Sequence, residues 1–102
     1  MMKKYDAIVI GSGPAGNAAA YALKEQGKTT AIIESDLWGG TCPNRGCDPK
    51  KMLMSGVEAQ KRIETMIGNG FEETPKIVWE DLMAFKKSYT DTVPQNTKNG
   101  LD

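Results

Sequence analysis

The run Gly11-Ser12-Gly13-Pro14-Ala15-Gly16 follows directly on the apolar stretch Ala7-Ile8-Val9-Ile10, and it constrains the fold more than any other part of the chain. In a G-x-G-x-x-G hexapeptide between a strand and a helix, the first glycine permits a tight turn. The second lets backbone approach a pyrophosphate, and the third allows close helix–strand contact. Residues 5–10 read as a buried parallel strand that breaks at Gly11. Pro14 suits a first helical turn, and residues 15–26 hold strong helix formers closed by Gly27. Residues 29–33 form a second apolar strand ending on Glu34. Together these segments predict a βαβ unit with a right-handed crossover.

An acidic residue at the end of the second strand, about 20 residues past the loop, stands where a ribose hydroxyl partner belongs. Glu34 meets that description. Its carboxylate repels a 2′-phosphate, which favours FAD or NAD over NADP at this site. The phosphates would sit on the helix N-terminus, where free N–H groups and the macrodipole favour negative charge. The bland alternatives are a glycine-rich turn in an unrelated α/β fold and a merely solvated Glu34.

Residues 35–49 read as irregular, with glycines at 39, 40 and 46 and prolines at 43 and 49. They contain the chain's two cysteines, in the run Gly39-Gly40-Thr41-Cys42-Pro43-Asn44-Arg45-Gly46-Cys47-Asp48-Pro49-Lys50. This C-x4-C spacing differs from the C-x2-C pairs of structural zinc sites. With no histidine and no further cysteine, no metal site is expected. In a regular helix, Cα atoms five residues apart are separated by about 8–9 Å, whereas a disulfide needs less than about 7 Å. For Cys42 and Cys47 to pair, the backbone must turn between them, and Pro43, Gly46 and Pro49 are placed to turn it. A bridge held in such geometry is readily reduced, and a nearby helix N-terminus with Lys50 or Lys51 would favour a thiolate. The alternative is two unrelated buried cysteines.

A helix is expected over residues 50–67, stopping at Gly68-Asn69-Gly70, with an apolar row of Met52, Gly56, Ala59, Ile63 and Met66. Another starts near Trp79, with Val78, Leu82, Phe85, Tyr89 and Val93 on one face, and Pro94 is expected to kink or end it. Asn99-Gly100 is turn-like, and a parallel sheet would gain another strand after it. Thirteen basic residues balance thirteen acidic ones, which argues against nucleic acid or an anionic membrane as partner. No apolar stretch approaches the roughly 20 residues a bilayer span needs. The short apolar run after Lys3-Lys4 leads into the glycine loop, so no signal peptide is read and a cytoplasmic location is expected.

Ile10 to Gly16, then Glu34, then Gly39-Gly40-Thr41-Cys42, Asn44, Gly46-Cys47 and Pro49-Lys50-Lys51 resemble the class I pyridine nucleotide–disulfide oxidoreductases, the family of glutathione reductase, dihydrolipoamide dehydrogenase and mercuric reductase. The resemblance covers essentially the whole chain and is most specific at G-G-T-C-x-N-x-G-C-x-P. It implies an α/β fold: a Rossmann-like FAD-binding βαβ unit followed by helices, with an incomplete parallel sheet. It also implies FAD with its pyrophosphate at Gly11, Ser12, Gly13, Pro14, Ala15 and Gly16, its ribose at Glu34, and Gly40 and Thr41 beside the diphosphate arm. Cys47 would be the flavin-proximal sulfur and Cys42 the interchange thiol. Lys50 would approach the flavin N5 edge, with Lys51 the lesser candidate.

In that family NAD(P)H reduces the flavin, the flavin reduces the cysteine pair, and the pair reduces a disulfide or similar small-molecule acceptor. Residues 1–102 would be the N-terminal part of the FAD-binding domain. The NAD(P)H and dimerisation domains, and the family's acid–base histidine, would be absent, so no turnover is expected of this chain alone. An open sheet edge and an unpartnered helix face imply a homodimer or higher assembly. Pro43, Arg45 and Asp48 depart from the family's apolar choices. Arg45 is expected to hold a thiolate or acidic substrate, and Asp48 to oppose thiolate formation unless Arg45 or Lys51 pairs with it. A standalone FAD- or NAD-binding module and a cofactor-free dithiol protein are the competing readings.

Overall fold

A computed structural model describes residues 2–102. In chain order the elements are β1 (Ala7–Ile10), α1 (Pro14–Glu25), β2 (Thr30–Ile33), α2 (Thr41–Arg45), α3 (Cys47–Glu64), α4 (Trp79–Thr90) and α5 (Val93–Leu101). β1 and β2 pair in parallel, Ala7 opposite Thr30 and Ile10 opposite Ile33, with α1 as the crossover. The fold is mixed α/β, a partial Rossmann-like unit with a two-stranded parallel sheet.

β1 starts two residues later than its apolar pattern suggests, because Asp6 is occupied by a side-chain clamp. Its carboxylate accepts from the Thr29 N–H (2.8 Å) and hydroxyl (2.9 Å), and its own N–H donates to Thr29 Oγ1 at 3.0 Å. These bonds, the backbone N–H first and the hydroxyl second, hold the Asp6 carboxyl below its ordinary value of 3.8. A carboxyl lowered on folding stabilises the fold above its unfolded value, and that contribution disappears as pH falls through the lowered one. Asp6→Ala is therefore expected to unfold at lower urea than the parent at neutral pH. The gap between their midpoints should shrink once the pH drops below 3.8.

α1 closes on Gly27, whose φ is +72°. The Gly27 and Lys28 amides bond to the Lys24 and Leu23 carbonyls at 2.9 and 3.0 Å, a Schellman ending that needs a left-handed residue. The strands are not buried on both faces as expected. α1 covers only one side of the sheet, leaving Ile8, Ile10 and Ile33 59%, 84% and 54% exposed.

Residues 35–49 are not irregular throughout, since α2 and the first turn of α3 lie within them. Pro43 and Pro49 are each the third residue of their helix, where a missing N–H has no intrahelical partner to lose. The prolines are accommodated by helices, and the turn between the cysteines falls at Gly46.

α3 stops at Glu64, short of the expected residue 67, and an Ile67–Phe71 bridge then encloses the Gly68-Asn69-Gly70 turn. α4 returns antiparallel: Gln60 Nε2 donates to the Pro75 carbonyl at 3.0 Å, and Tyr89 reaches back to Asp48. The packed face of α3 is Met52, Leu53, Gly56, Gln60 and Ile63, whereas Ala59 and Met66 of the expected row are exposed. Gly56 is small because Leu82 sits on it; a Cβ there would lie 3.2 Å from Leu82 Cδ1. On α4, Leu82, Met83, Lys86 and Thr90 turn inward, while Val78 and Phe85 stay half-exposed.

Pro94 neither kinks α4 nor simply ends it. α4 finishes at Thr90, and Pro94 occupies the first turn of α5, a position that suits its fixed φ. Val93 therefore belongs to α5, where it is buried beneath Gly39. Asn99-Gly100 is helical rather than a turn, and Tyr21 Oη donates to the Gly100 carbonyl at 3.1 Å. The chain extends over 71 × 25 × 16 Å with a radius of gyration of 20.1 Å, against about 13 Å for a compact domain of this length.

Candidate functional site

The glycine loop is built by close approach. Gly11 has φ +103° and donates its N–H to the Ile33 carbonyl at 2.8 Å, which bends the chain off the end of β1. At Gly16 a Cβ would overlap the Gly11 carbonyl and lie 3.3 Å from Val9 Cγ1, so α1 can start against the strand only with glycine there. Gly13 is the N-cap of α1, Pro14 is its first residue, and no side chain caps the helix. Asn17, which the motif does not include, donates its amide to the carbonyls of Ser12 and Gly13 and holds the loop closed. Its only signal in the sequence is an amide-bearing residue one turn past a helix-capping glycine.

Ser12 is fully buried. Its hydroxyl donates to the Glu34 carboxylate and accepts from the Gly39 N–H at 3.0 Å, while its N–H also donates to Glu34, at 3.0 Å. The other Glu34 oxygen takes the N–H groups of Ser35 and Asp36 at 3.0 and 3.2 Å. The Ser12 hydroxyl, followed by the Ser12 and Asp36 amides, holds the Glu34 carboxyl below its ordinary value, so it is anionic at neutral pH. A recess lined by Glu34, Asp36, Leu37, Gly40, Thr41 and Arg45 opens beside it. A Cβ on Gly40 would sit 2.7 Å from Gly13 Cα, so the start of the cysteine segment packs backbone to backbone against the glycine loop. An uncapped helix N-terminus and a left-handed glycine at Gly11 suit a dinucleotide pyrophosphate.

The cysteines are carried on two helices. Asn44, itself buried, donates to the Trp38 and Gly40 carbonyls at 3.0 and 2.8 Å and seats α2 on the preceding loop. Cys42 is the second residue of α2, and Cys47 opens α3. At Gly46 between them a Cβ would meet Cys42 Cα at 3.2 Å, so the break that folds α3 back over Cys42 needs a residue without one. Both cysteines are free thiols, Cys42 half-buried and Cys47 exposed. The Cys42 thiol is pushed up from its ordinary value, first by its hydrogen bond with Cys47, then by burial, then by the Cys47 and Asp48 charges. The expectation that the local surroundings favour the thiolate fails for this sulfur, because its immediate neighbours are another thiol and a carboxylate.

The three departures from the apolar pattern are also placed differently than expected. Arg45 pairs with Asp36 at 3.1 Å, both side chains exposed, instead of holding a thiolate. Asp48 is bound by neither Arg45 nor Lys51; its carboxylate accepts from Tyr89 Oη at 2.7 Å. Tyr89 was legible only as one apolar position on a helix face. Lys50 is exposed and lines a recess between α3 and α4 with Arg45, Leu53, Trp79, Met83 and Lys86.

Residues 5–100 match the sequence profile described as pyridine nucleotide-disulphide oxidoreductase. The chain belongs to this family. Among its relatives, a dihydrolipoyl dehydrogenase of Chlamydia pneumoniae is 36% identical over 102 residues, covering all of this chain and 22% of the relative. One of Chlamydia muridarum is 38% identical over 108 residues, covering all of this chain and 21% of the relative. The chloroplastic dihydrolipoyl dehydrogenase 2 of Arabidopsis thaliana is 55% identical over 51 residues, 50% of this chain and 9% of its own length. This member of the pyridine nucleotide-disulphide oxidoreductases thus spans about a fifth of the Chlamydia relatives that it matches end to end. Among its described residues no helix is long and apolar enough to cross a membrane.

Proposed function

We propose that the chain is the N-terminal part of the FAD-binding domain of an NAD(P)H-linked disulfide oxidoreductase, bringing the dinucleotide loop and the redox dithiol together on one scaffold. The observation that carries this reading is the double bonding of Ser12. Its hydroxyl joins Glu34, at the end of β2, to the Gly39 N–H, at the start of the cysteine segment. FAD, when bound, supplies the electron transfer that links a nicotinamide to the thiols.

The backbone from Gly11 to Gly16, at the α1 N-terminus, holds the pyrophosphate. Glu34 accepts from the ribose, and Gly40 and Thr41 follow the diphosphate arm along their shared recess. Lys50 and Cys47 would be the residues beside the flavin, and Cys42 would exchange with the substrate. When Cys42 and Cys47 close to a disulfide they give up two electrons and two protons, and an acceptor disulfide opening to a dithiol takes up the same. Because the relatives above are named dihydrolipoyl dehydrogenases, the first substrate to test is a dihydrolipoyl dithiol, which would run the same exchange in reverse, giving its two electrons and two protons to the Cys42–Cys47 disulfide. The nicotinamide site, the acid–base group and the assembly into a dimer or higher form belong to the longer protein, acting in the cytoplasm. The chain alone is not expected to turn over.

The deciding experiment is an absorbance spectrum of the purified chain after FAD incubation and gel filtration, before and after dithiol reduction. Retained flavin bands are expected, with a long-wavelength thiolate shoulder that appears on reduction and is lost in Cys47→Ser. Flavin without the shoulder would reduce the chain to a binding module. No retained flavin would leave a dithiol protein and overturn the proposal.

A further inference from the structure

The contact between Asp48 and Tyr89 lies outside the glycine loop, yet it abuts the dithiol. Asp48 follows Cys47 in the first turn of α3, and Tyr89 stands in the last turn of α4, beside buried Thr90. Their 2.7 Å bond spans 41 residues and fixes the carboxylate of the residue that follows Cys47. The neighbouring cations are directed elsewhere. Arg45 on α2 is paired with Asp36; Lys50 on α3 and Lys86 on α4 line the recess that contains Trp79. Lys51 forms no salt bridge among the described residues, and on α5 Lys98 pairs with Asp102 at 3.9 Å.

We propose that Asp48, clamped by Tyr89, is a positioning residue that keeps Cys42 a neutral thiol and so restrains its attack on a disulfide. The proposal rests on the reading of Cys42 and Cys47 as an exchanging pair. A fixed carboxylate opposes the growth of a second negative charge nearby, and after the Cys47 hydrogen bond, burial and the Cys47 charge, the Asp48 charge adds to what pushes the Cys42 thiol up. Hydrogen bonding to Asp48 is also the first cause that pushes the Tyr89 phenol up, so it stays protonated and donating across neutral pH. For exchange, the Cys42 proton leaves to solvent. The sulfur then bonds to one sulfur of the acceptor disulfide, whose S–S bond breaks and whose other sulfur departs as a thiolate.

The test is site-resolved alkylation of the reduced full chain with iodoacetamide as a function of pH. Trypsin cutting after Arg45 places Cys42 and Cys47 on separate peptides. Asp48→Asn keeps an acceptor for Tyr89 but removes the charge, and it is expected to speed Cys42 alkylation at pH 7 about three- to tenfold. Tyr89→Phe, which releases the carboxylate to water, is expected to act in the same direction but less. The double variant should match Asp48→Asn alone.

An unchanged Cys42 profile in a folded Asp48→Asn chain would overturn the proposal, as would full additivity of the two changes. Should that variant fail to fold, the unmodified chain still decides. One molar salt, with a screening length of about 3 Å, is expected to move the Cys42 profile to lower pH, and a salt-insensitive profile refutes the charge effect. None of these readouts uses flavin, so a failure of FAD binding is distinguishable from a failure of this proposal.

Discussion

Gly16→Ala is expected to leave the chain largely unfolded at neutral pH. The added methyl would occupy the position of the Gly11 carbonyl, a backbone group of the turn between β1 and α1, and press on the branched side chain of Val9 in β1. Nothing there is the movable end of a flexible side chain, so α1 has to back away from the strand. Overpacking of this kind costs about 3 kcal/mol or more. Few reserves offset it: Ala20, Pro49 and Val93 are the buried apolar side chains among the described residues. Gly27→Ala supplies the control. A Cβ at Gly27 meets nothing within 4 Å, so only its positive φ is penalised, by about 1–2 kcal/mol. Urea unfolding followed by far-ultraviolet circular dichroism compares the two. Equal midpoints would show that the close approach at Gly16 is not what holds the loop.

Asn44→Asp should be nearly as damaging although the two side chains have almost the same shape. The Asn44 amide donates to two carbonyls, those of Trp38 and Gly40, from a buried position. A carboxylate in its place offers only acceptors to two acceptors and loses its hydration, at about 3 kcal/mol or more. Since α2 is seated by this amide, the α2–α3 break and the contact between Cys42 and Cys47 should loosen with it. The penalty carries a pH signature. A carboxyl facing carbonyls has its folded pKa raised, so the deficit relative to the parent is full at neutral pH and shrinks as acid protonates the group, which can then donate to one carbonyl. A deficit that does not diminish on mild acidification would refute this account, as would parental stability at pH 7.

The βαβ unit was legible because its signals are local: an apolar run, three glycines at fixed offsets, a proline at a helix start and an acid ending the second strand. What escaped was set by residues far apart in the chain. Asp6 and Thr29, 23 positions apart, trim the start of β1, and Tyr89 takes the carboxylate of Asp48 from across the helical hairpin. Prolines misled in a consistent way. At Pro43, Pro49 and Pro94 they suggested irregular chain or a helix end, yet each sits in a first turn, where its missing amide has nothing to lose. At the candidate site, the roles of Gly13, Gly40 and Gly46 follow from backbone approach and could be guessed from their motifs. The bonding of Ser12, Asn17 and Asn44 to loop carbonyls, amides and Glu34 needs the folded loop before it can be seen.

α3 has mechanical consequences of its own. Its 18 residues run from Cys47 at one end toward the Ile67–Phe71 turn, a stiff rod of about 27 Å. The rod begins at a lone glycine break, Gly46, so the helix is a lever with its pivot one residue from a sulfur. A swing of about 5° there carries the far end some 2 Å, by the same helical geometry, and a push on the distant turn is returned at Cys47 as a rotation rather than a translation.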